Sequence, residues 1–239
     1  MKRDRQALVL IGPHAPETWA SQVAALEPHF DIVVPDVRNG DGIPGVAEEL
    51  LRSLPREFCL AGFCYGGFLA FEIMRRDPGR VTRLALLNTS ARADTDTVRA
   101  QRVRRIASLE AHLALKAEVD EQSRSYVAYA LGHLIAPQNL QRLDVVERAT
   151  QALSSIDLEQ CYKQQKAIAG RQDSRGDLHR ISTPTLIIAG RHDRICPPHL
   201  GQEIAKGVFK ARFVELENCG HLSPIEQTTR INRALHAWF

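Results

Sequence analysis

Short apolar runs separated by amphipathic stretches constrain this chain more than any other feature. Five read as strands: Ala7–Ile11, Ile32–Val34, Phe58–Ala61, Leu84–Leu87 and Thr185–Ala189, with Arg212–Leu216 a weaker sixth. Within each of the five the apolar residues are continuous rather than alternating, as expected of parallel strands buried on both faces. The intervening stretches carry helical spacing. Trp19, Val23 and Leu26 share one face, as do Val46, Leu50, Leu51 and Leu54, and Ile231, Leu235 and Trp238 near the end. Strands alternating with helices predict a doubly wound α/β sheet of about six mostly parallel strands, with helices on both faces. Right-handed crossovers then bring the carboxyl ends of all the strands to one edge, where ligands bind.

One segment interrupts the alternation. From about residue 91 to 180 there is no strand signal, and helical patterns cover Thr97–Leu115, Glu121–Leu134, Leu143–Leu153 and Leu158–Ala169. The expected organisation is a core of residues 1–90 and 181–239 carrying a helical insertion, 91–180. An insertion at the carboxyl edge of the sheet is positioned to form a lid over a site there. A helical subdomain with only a packing role is the simpler alternative.

Composition bears on the setting. With 44% hydrophobic and 25% charged residues in 239, the chain is long enough for a sizeable core and too ordinary for disorder, collagen or coiled coil. A net charge of +3 is too small to point to nucleic acid or a membrane surface as partner. The opening MKRDRQALVLIG has too short an apolar run for a signal peptide, and no stretch approaches the roughly 20 apolar residues of a membrane helix. Five cysteines without a C-x-x-C pair argue against structural zinc and suit a reducing cytoplasm. No metal or nucleotide signature stands out, and no cofactor is expected.

Chemistry concentrates at three places. After the third strand comes Gly62-Phe63-Cys64-Tyr65-Gly66-Gly67, leading into the helix-compatible Phe68–Met74. A G-x-nucleophile-x-G sequence between strand and helix forms a sharp elbow, with glycines where side chains would collide. Cys64 is therefore the candidate nucleophile, beside helix amides that favour negative charge. After the fifth strand, Gly190-Arg191-His192-Asp193 offers Asp193 as an orienting carboxylate. After the sixth, Cys219-Gly220-His221 precedes the last helix and offers His221 as general base. The chain order nucleophile, acid, histidine fits this arrangement. His192 is a rival to His221 only through its neighbour Asp193 and is expected to be exposed. Cys59 and Cys161 are expected to be packing residues, and Cys196 and Cys219 to line or support the site.

The stretches PDVRNGDGIPGVAEELLRSLP, LAGFCYGGFLAFEIMRRDPGRVTRLALLNTSARADT, PTLIIAGRHDRICPP and LENCGHLSPIEQ resemble the α/β-hydrolase superfamily, and the likeness extends over nearly the whole chain. It is nearest to small, lid-bearing members. The chain begins at what would be the family's third strand. The resemblance implies cofactor-free cleavage of an ester, thioester or lactone. Two departures accompany it. Cysteine stands at the position usually held by serine, as in dienelactone hydrolases and polyhydroxyalkanoate synthases. The loop after the first strand, Gly12-Pro13-His14-Ala15-Pro16, places proline where the family's second oxyanion donor sits, and proline has no N–H. The Tyr65 amide remains as oxyanion donor, with His14 as the candidate second.

The expected reaction is attack of Cys64 on an acyl carbon, giving an acyl-thioenzyme that water resolves. A thioester also passes its acyl group to amines, thiols or carbon nucleophiles, so an acyltransferase or cyclase is an alternative. Ligand binding without turnover is another. The substrate is expected to be a small acyl compound, with a coenzyme A or carrier-protein thioester in range. Arg99, Arg102, Arg104 and Arg105 could greet such a phosphorylated or acidic partner, although a solvated helix face is the simpler reading. Asp36, Arg38 and Asp41 read as a turn around Gly40 and Gly42.

Overall fold

The computed structural model describes residues 5–13, 16–115, 127, 130–155 and 157–239. Six strands, β1 (Ala7–Ile11), β2 (Asp31–Val33), β3 (Phe58–Phe63), β4 (Val81–Leu87), β5 (Thr185–Gly190) and β6 (Arg212–Leu216), form one sheet in the order β2-β1-β3-β4-β5-β6. Every neighbouring pair is parallel. The chain runs outward from β1 to β2 and then crosses back to β3, so the strand order reverses between β1 and β3. In open α/β sheets such a reversal is where loops diverge to opposite faces and ligands bind at the carboxyl ends.

The strand interiors explain why these runs pair centrally. In β1, Val9 and Ile11 join one core layer while Leu8 and Leu10 join the other. The first layer packs under α2 (Gly42–Ser53), α3 (Tyr65–Arg76) and α7 (Pro198–Gly207), through Val46, Leu50, Leu69, Ile73 and Ile204. The second packs under α1 (Ala20–Leu26) and α9 (Thr228–Trp238), through Leu26, Ile231, Leu235 and Trp238. Each such aliphatic side chain contributes roughly 1.5–3 kcal/mol when fully buried. The helical faces expected from the sequence are the buried ones, except that Val23 and Leu51 are only half-buried and Ile43 and Ala47 complete the α2 face.

β4 begins three residues before its apolar run. Val81 pairs with Phe58, and a register shift lies between Phe58 and Cys59. Arg83 is held there by its guanidinium, which stacks 5.6 Å from the Trp238 ring and donates to the Trp238 carbonyl. A charged residue thus sits in a strand by covering an aromatic ring, which periodicity does not reveal.

Between β4 and β5 the described residues form no strand. They form α4 (Asp96–Leu115), α5 (Leu143–Ser154), α6 (Leu158–Ala169) and further helical residues at 127 and 130–134. Most of the pattern expected over Glu121–Leu134 lies outside the described residues. α6 is capped at its start by Asp157, whose side chain accepts from the Glu159 N–H at 2.8 Å. Arg102 of α4 turns inward to Asp94, at 2.5 Å, and to Gln165 of α6, while Arg171 holds the other Asp94 oxygen at 2.7 Å. Of the arginines singled out on this helix, Arg99 and Arg104 are exposed, whereas Arg102 is a structural partner of a buried carboxylate. Among the described residues, no helix is long and apolar enough to cross a membrane.

Candidate active site

Cys64 joins β3 to α3 with φ 52° and ψ −109°, a conformation that L-residues avoid. Three contacts hold it there. Its N–H donates to the Leu87 carbonyl at 3.0 Å, and its own carbonyl accepts from the Gly67 N–H at 3.0 Å and the Thr89 hydroxyl at 2.9 Å. The flanking glycines are required by close approach. A Cβ on Gly66 would overlap the Ile11 carbonyl, and one on Gly62 would fall 2.6 Å from the Gly66 oxygen. Cys64 is half-buried, whereas Cys59, Cys161, Cys196 and Cys219 are buried. Cys59 is a core residue, its sulfur 3.5 Å from the Thr82 hydroxyl.

Asp193 and His221 lie on the loops after β5 and β6 and are 4% and 3% exposed. His221 Nδ1 is 2.8 Å from Asp193 Oδ2, and the Ile195 and Cys196 amides donate to Asp193 Oδ1 at 2.8 Å each. Burial disfavours the charged imidazole. The Asp193 carboxylate and Cys64, which also hydrogen-bonds the ring, outweigh it and raise the His221 pKa well above its ordinary value. The ring is therefore held by the carboxylate and lies within the electrostatic influence of Cys64. Phe63 packs beside it at 5.4 Å between ring centroids. Burial, with Asp193 and Cys64 nearby, pushes the Cys196 thiol well up, and burial does the same to Cys219. Burial likewise pushes the Tyr65 hydroxyl up to about 12. His192 is exposed, as expected, with Nε2 3.3 Å from Gln138 Nε2.

Tyr65 is the first residue of α3, so its N–H has no acceptor within the helix. The Pro13 carbonyl accepts from Gln164 Nε2 of α6 at 2.7 Å, which fastens the helical segment to the loop after β1. His14 lies outside the described residues. Among the described residues, no group of three or more His, Cys, Asp or Glu is arranged to hold a metal ion.

Three polar residues at the site were not singled out from sequence. Asn88, in a left-handed conformation after β4, donates from Nδ2 to Asp193 Oδ2 at 2.8 Å and to the Gly220 carbonyl at 3.1 Å. Gln164 reaches the loop after β1, and Glu226 underlies the His221 turn. A faint signal existed for Asn88, an amide at a strand's carboxyl end where a left-handed turn suits it.

The alpha/beta hydrolase family model matches residues 8–234. A relative from Serratia proteamaculans, provisionally named carbamate hydrolase RutD, is 27% identical over 92% of this chain and 85% of its own. A pimeloyl-[acyl-carrier protein] methyl ester esterase from Neisseria meningitidis is 24% identical over 87% of this chain and 78% of its own. Among solved structures, a thermophilic esterase from Thermogutta terrifontis superposes with a TM-score of 0.85 at 26% identity, covering 98% of this chain and 89% of that one. The parallel sheet, the strand-to-helix elbow and a match over nearly the whole length agree: this chain belongs to the alpha/beta hydrolase family.

Proposed function

We propose that the protein is a cofactor-independent acyl hydrolase in which Cys64, His221 and Asp193 form the catalytic triad. One observation carries this reading: a cysteine in a strained elbow influences a buried histidine, whose Nδ1 is 2.8 Å from a buried carboxylate. Its relatives support hydrolysis as the reaction class, and one of them acts on a carrier-protein ester by name.

His221 accepts the Cys64 proton, and Asp193 fixes the ring so that Nδ1 faces the carboxylate and Nε2 faces the sulfur. The Cys64 sulfur attacks the acyl carbon. The carbonyl oxygen gains the negative charge and takes the Tyr65 N–H. The bond to the leaving group breaks as the imidazolium returns the proton to it. Water then gives a proton to His221 and attacks the thioester, the carbon–sulfur bond breaks, and the sulfur regains the proton. In this reading the helical segment 91–180 acts as the lid that shapes the acyl pocket, with Gln164 tying it to the loop after β1. The substrate is a small ester, thioester or lactone. Coenzyme A and carrier-protein thioesters fall within this chemistry, and acyl transfer replaces hydrolysis wherever another nucleophile reaches the acyl-enzyme before water.

Intact-mass measurement after brief exposure to an activated acyl donor tests the proposal. The expected result is a single acyl adduct that Cys64→Ala abolishes, and a rate of release that matches steady-state turnover. An adduct unaffected by Cys64→Ala, or saturable binding with no turnover, would overturn it, the latter in favour of a ligand-binding role.

A further inference from the structure

Glu226, at the end of α8 (Ser223–Glu226), is 2% exposed. Three N–H donors surround its carboxylate. Ala136 N and Asn139 Nδ2 donate to Oε2 at 2.8 and 2.9 Å, and the Gly220 amide donates to both oxygens at 3.0 Å. Two of these donors lie in the connection between the helical residues 130–134 and α5, and the third is the residue before His221. A buried carboxylate is tolerated where such donors satisfy it, and it then holds them with charge-assisted strength.

The main chain on both sides of His221 is clamped as a result. Gly220 has its N–H on Glu226 and its carbonyl on Asn88 Nδ2. The His221 N–H donates to the Leu134 carbonyl at 2.6 Å, and that of Leu222 reaches the same oxygen at 3.4 Å. Asn139 Nδ2 also donates to the Asn218 carbonyl at 2.8 Å. Gly220 leaves no slack, because a Cβ there would fall 2.5 Å from the Leu134 oxygen and 2.9 Å from Glu226 Oε1. With the backbone fixed and Nδ1 held by Asp193, the imidazole has one orientation in which Nε2 meets Cys64.

We propose that Glu226 is a positioning residue that ties the root of the helical region, residues 134–142, to the catalytic base, so that docking of this segment sets the place of His221. The proposal rests on the triad reading above and deepens it. A displacement of about 1 Å between reacting groups costs on the order of a hundredfold in rate. The carboxylate thus acts on catalysis through His221, without touching substrate.

Glu226→Gln keeps the shape, but all three neighbours donate, so the amide nitrogen meets N–H groups it cannot accept from. The expected result is a kcat lowered about ten- to a hundredfold with KM within about twofold of wild type. In the substrate-free protein, the downfield proton resonance of the His221–Asp193 pair should shift or broaden, a readout that needs no activity; Asp193→Asn supplies the assignment by abolishing it. A folded Glu226→Gln protein with wild-type kcat and an unmoved resonance would overturn the proposal. Should that variant fail to fold, Asn139→Ala removes one donor and leaves the carboxylate. It is expected to lower kcat at constant KM and to move the same resonance, and the absence of both effects would be equally decisive. Failure of the triad itself registers separately, as turnover that survives Cys64→Ala.

Discussion

His221 Nδ1 and Asn88 Nδ2 converge on one oxygen of Asp193, each at 2.8 Å. The carboxylate therefore divides its acceptor capacity between the base and an amide anchored on β4. That amide also donates to Gly220, the residue before the base. Asn88→Ala removes both bonds together. The expected outcome is a loss of about 1–3 kcal/mol in unfolding free energy by chemical denaturation, together with lower kcat. Unchanged stability would mean that His221 with the Ile195 and Cys196 amides holds Asp193 in place without Asn88.

The raised pKa of His221 makes stability depend on pH with a defined sign. The folded state keeps the ring protonated above the unfolded value of about 6.5. Its contribution is complete below that pH and is lost as pH rises through the folded value. Melting temperature should therefore fall from about pH 6.5 upward. Above about pH 8.5 the buried Cys196 and Cys219 thiols add to the fall, since unfolding frees them to ionise. Asp193→Asn removes the partner that holds the proton, so the slope between the two values should flatten in that variant alone. An equal slope in both proteins would remove His221 as its source.

The strain at Cys64 can be read by comparing two replacements that both delete the thiol. At φ 52° and ψ −109° a Cβ costs about 1–3 kcal/mol, against the roughly 0.5–1 kcal/mol by which glycine ordinarily disfavours folding. Cys64→Gly should be more stable than Cys64→Ala by about 1 kcal/mol in equilibrium denaturation. Equal stabilities would mean that the elbow stores no strain at this residue.

The residues that were legible in the sequence share a property: each announces itself within a few positions. Gly62 and Gly66 bracket Cys64, Asp193 follows a strand, and His221 follows a glycine and precedes a helix. Buried strands were legible for the same reason, because burial on both faces leaves a continuous apolar run. Glu226, Asn88 and Gln164 act on residues 90, 105 and 151 positions away, and no local pattern records such pairings. Arg102 shows the converse. Its helix reads as a solvated arginine face, yet it turns inward because Asp94, eight residues earlier, is buried beside it. The amino end of β4 was missed because Arg83 belongs to the strand through its stacking on Trp238, not through its own hydropathy.

Pro13 supplies the most direct test of how the oxyanion is held. The loop after β1 passes the elbow closely enough that Gly66 lies against the Ile11 carbonyl, and in the proposed mechanism the backbone amide two residues on is the one that would face the acyl oxygen. At Pro13 that amide carries no hydrogen, and the proposed mechanism relies on the Tyr65 N–H among the described residues. A single donor at such a site is worth about 2.7–4 kcal/mol of transition-state stabilisation, or roughly a hundredfold or more in rate. Pro13→Ala restores the hydrogen without adding bulk. It also leaves the Pro13 carbonyl, a main-chain group, available to Gln164 Nε2. In the proposed mechanism, kcat for an activated ester should rise by about tenfold or more in this variant, with the Cys64-dependent acyl adduct forming faster in single-turnover mass measurements. If kcat is unchanged or falls while the protein stays folded, a donor other than the position-13 amide already occupies the hole, and proline is the residue that shapes the loop to admit it.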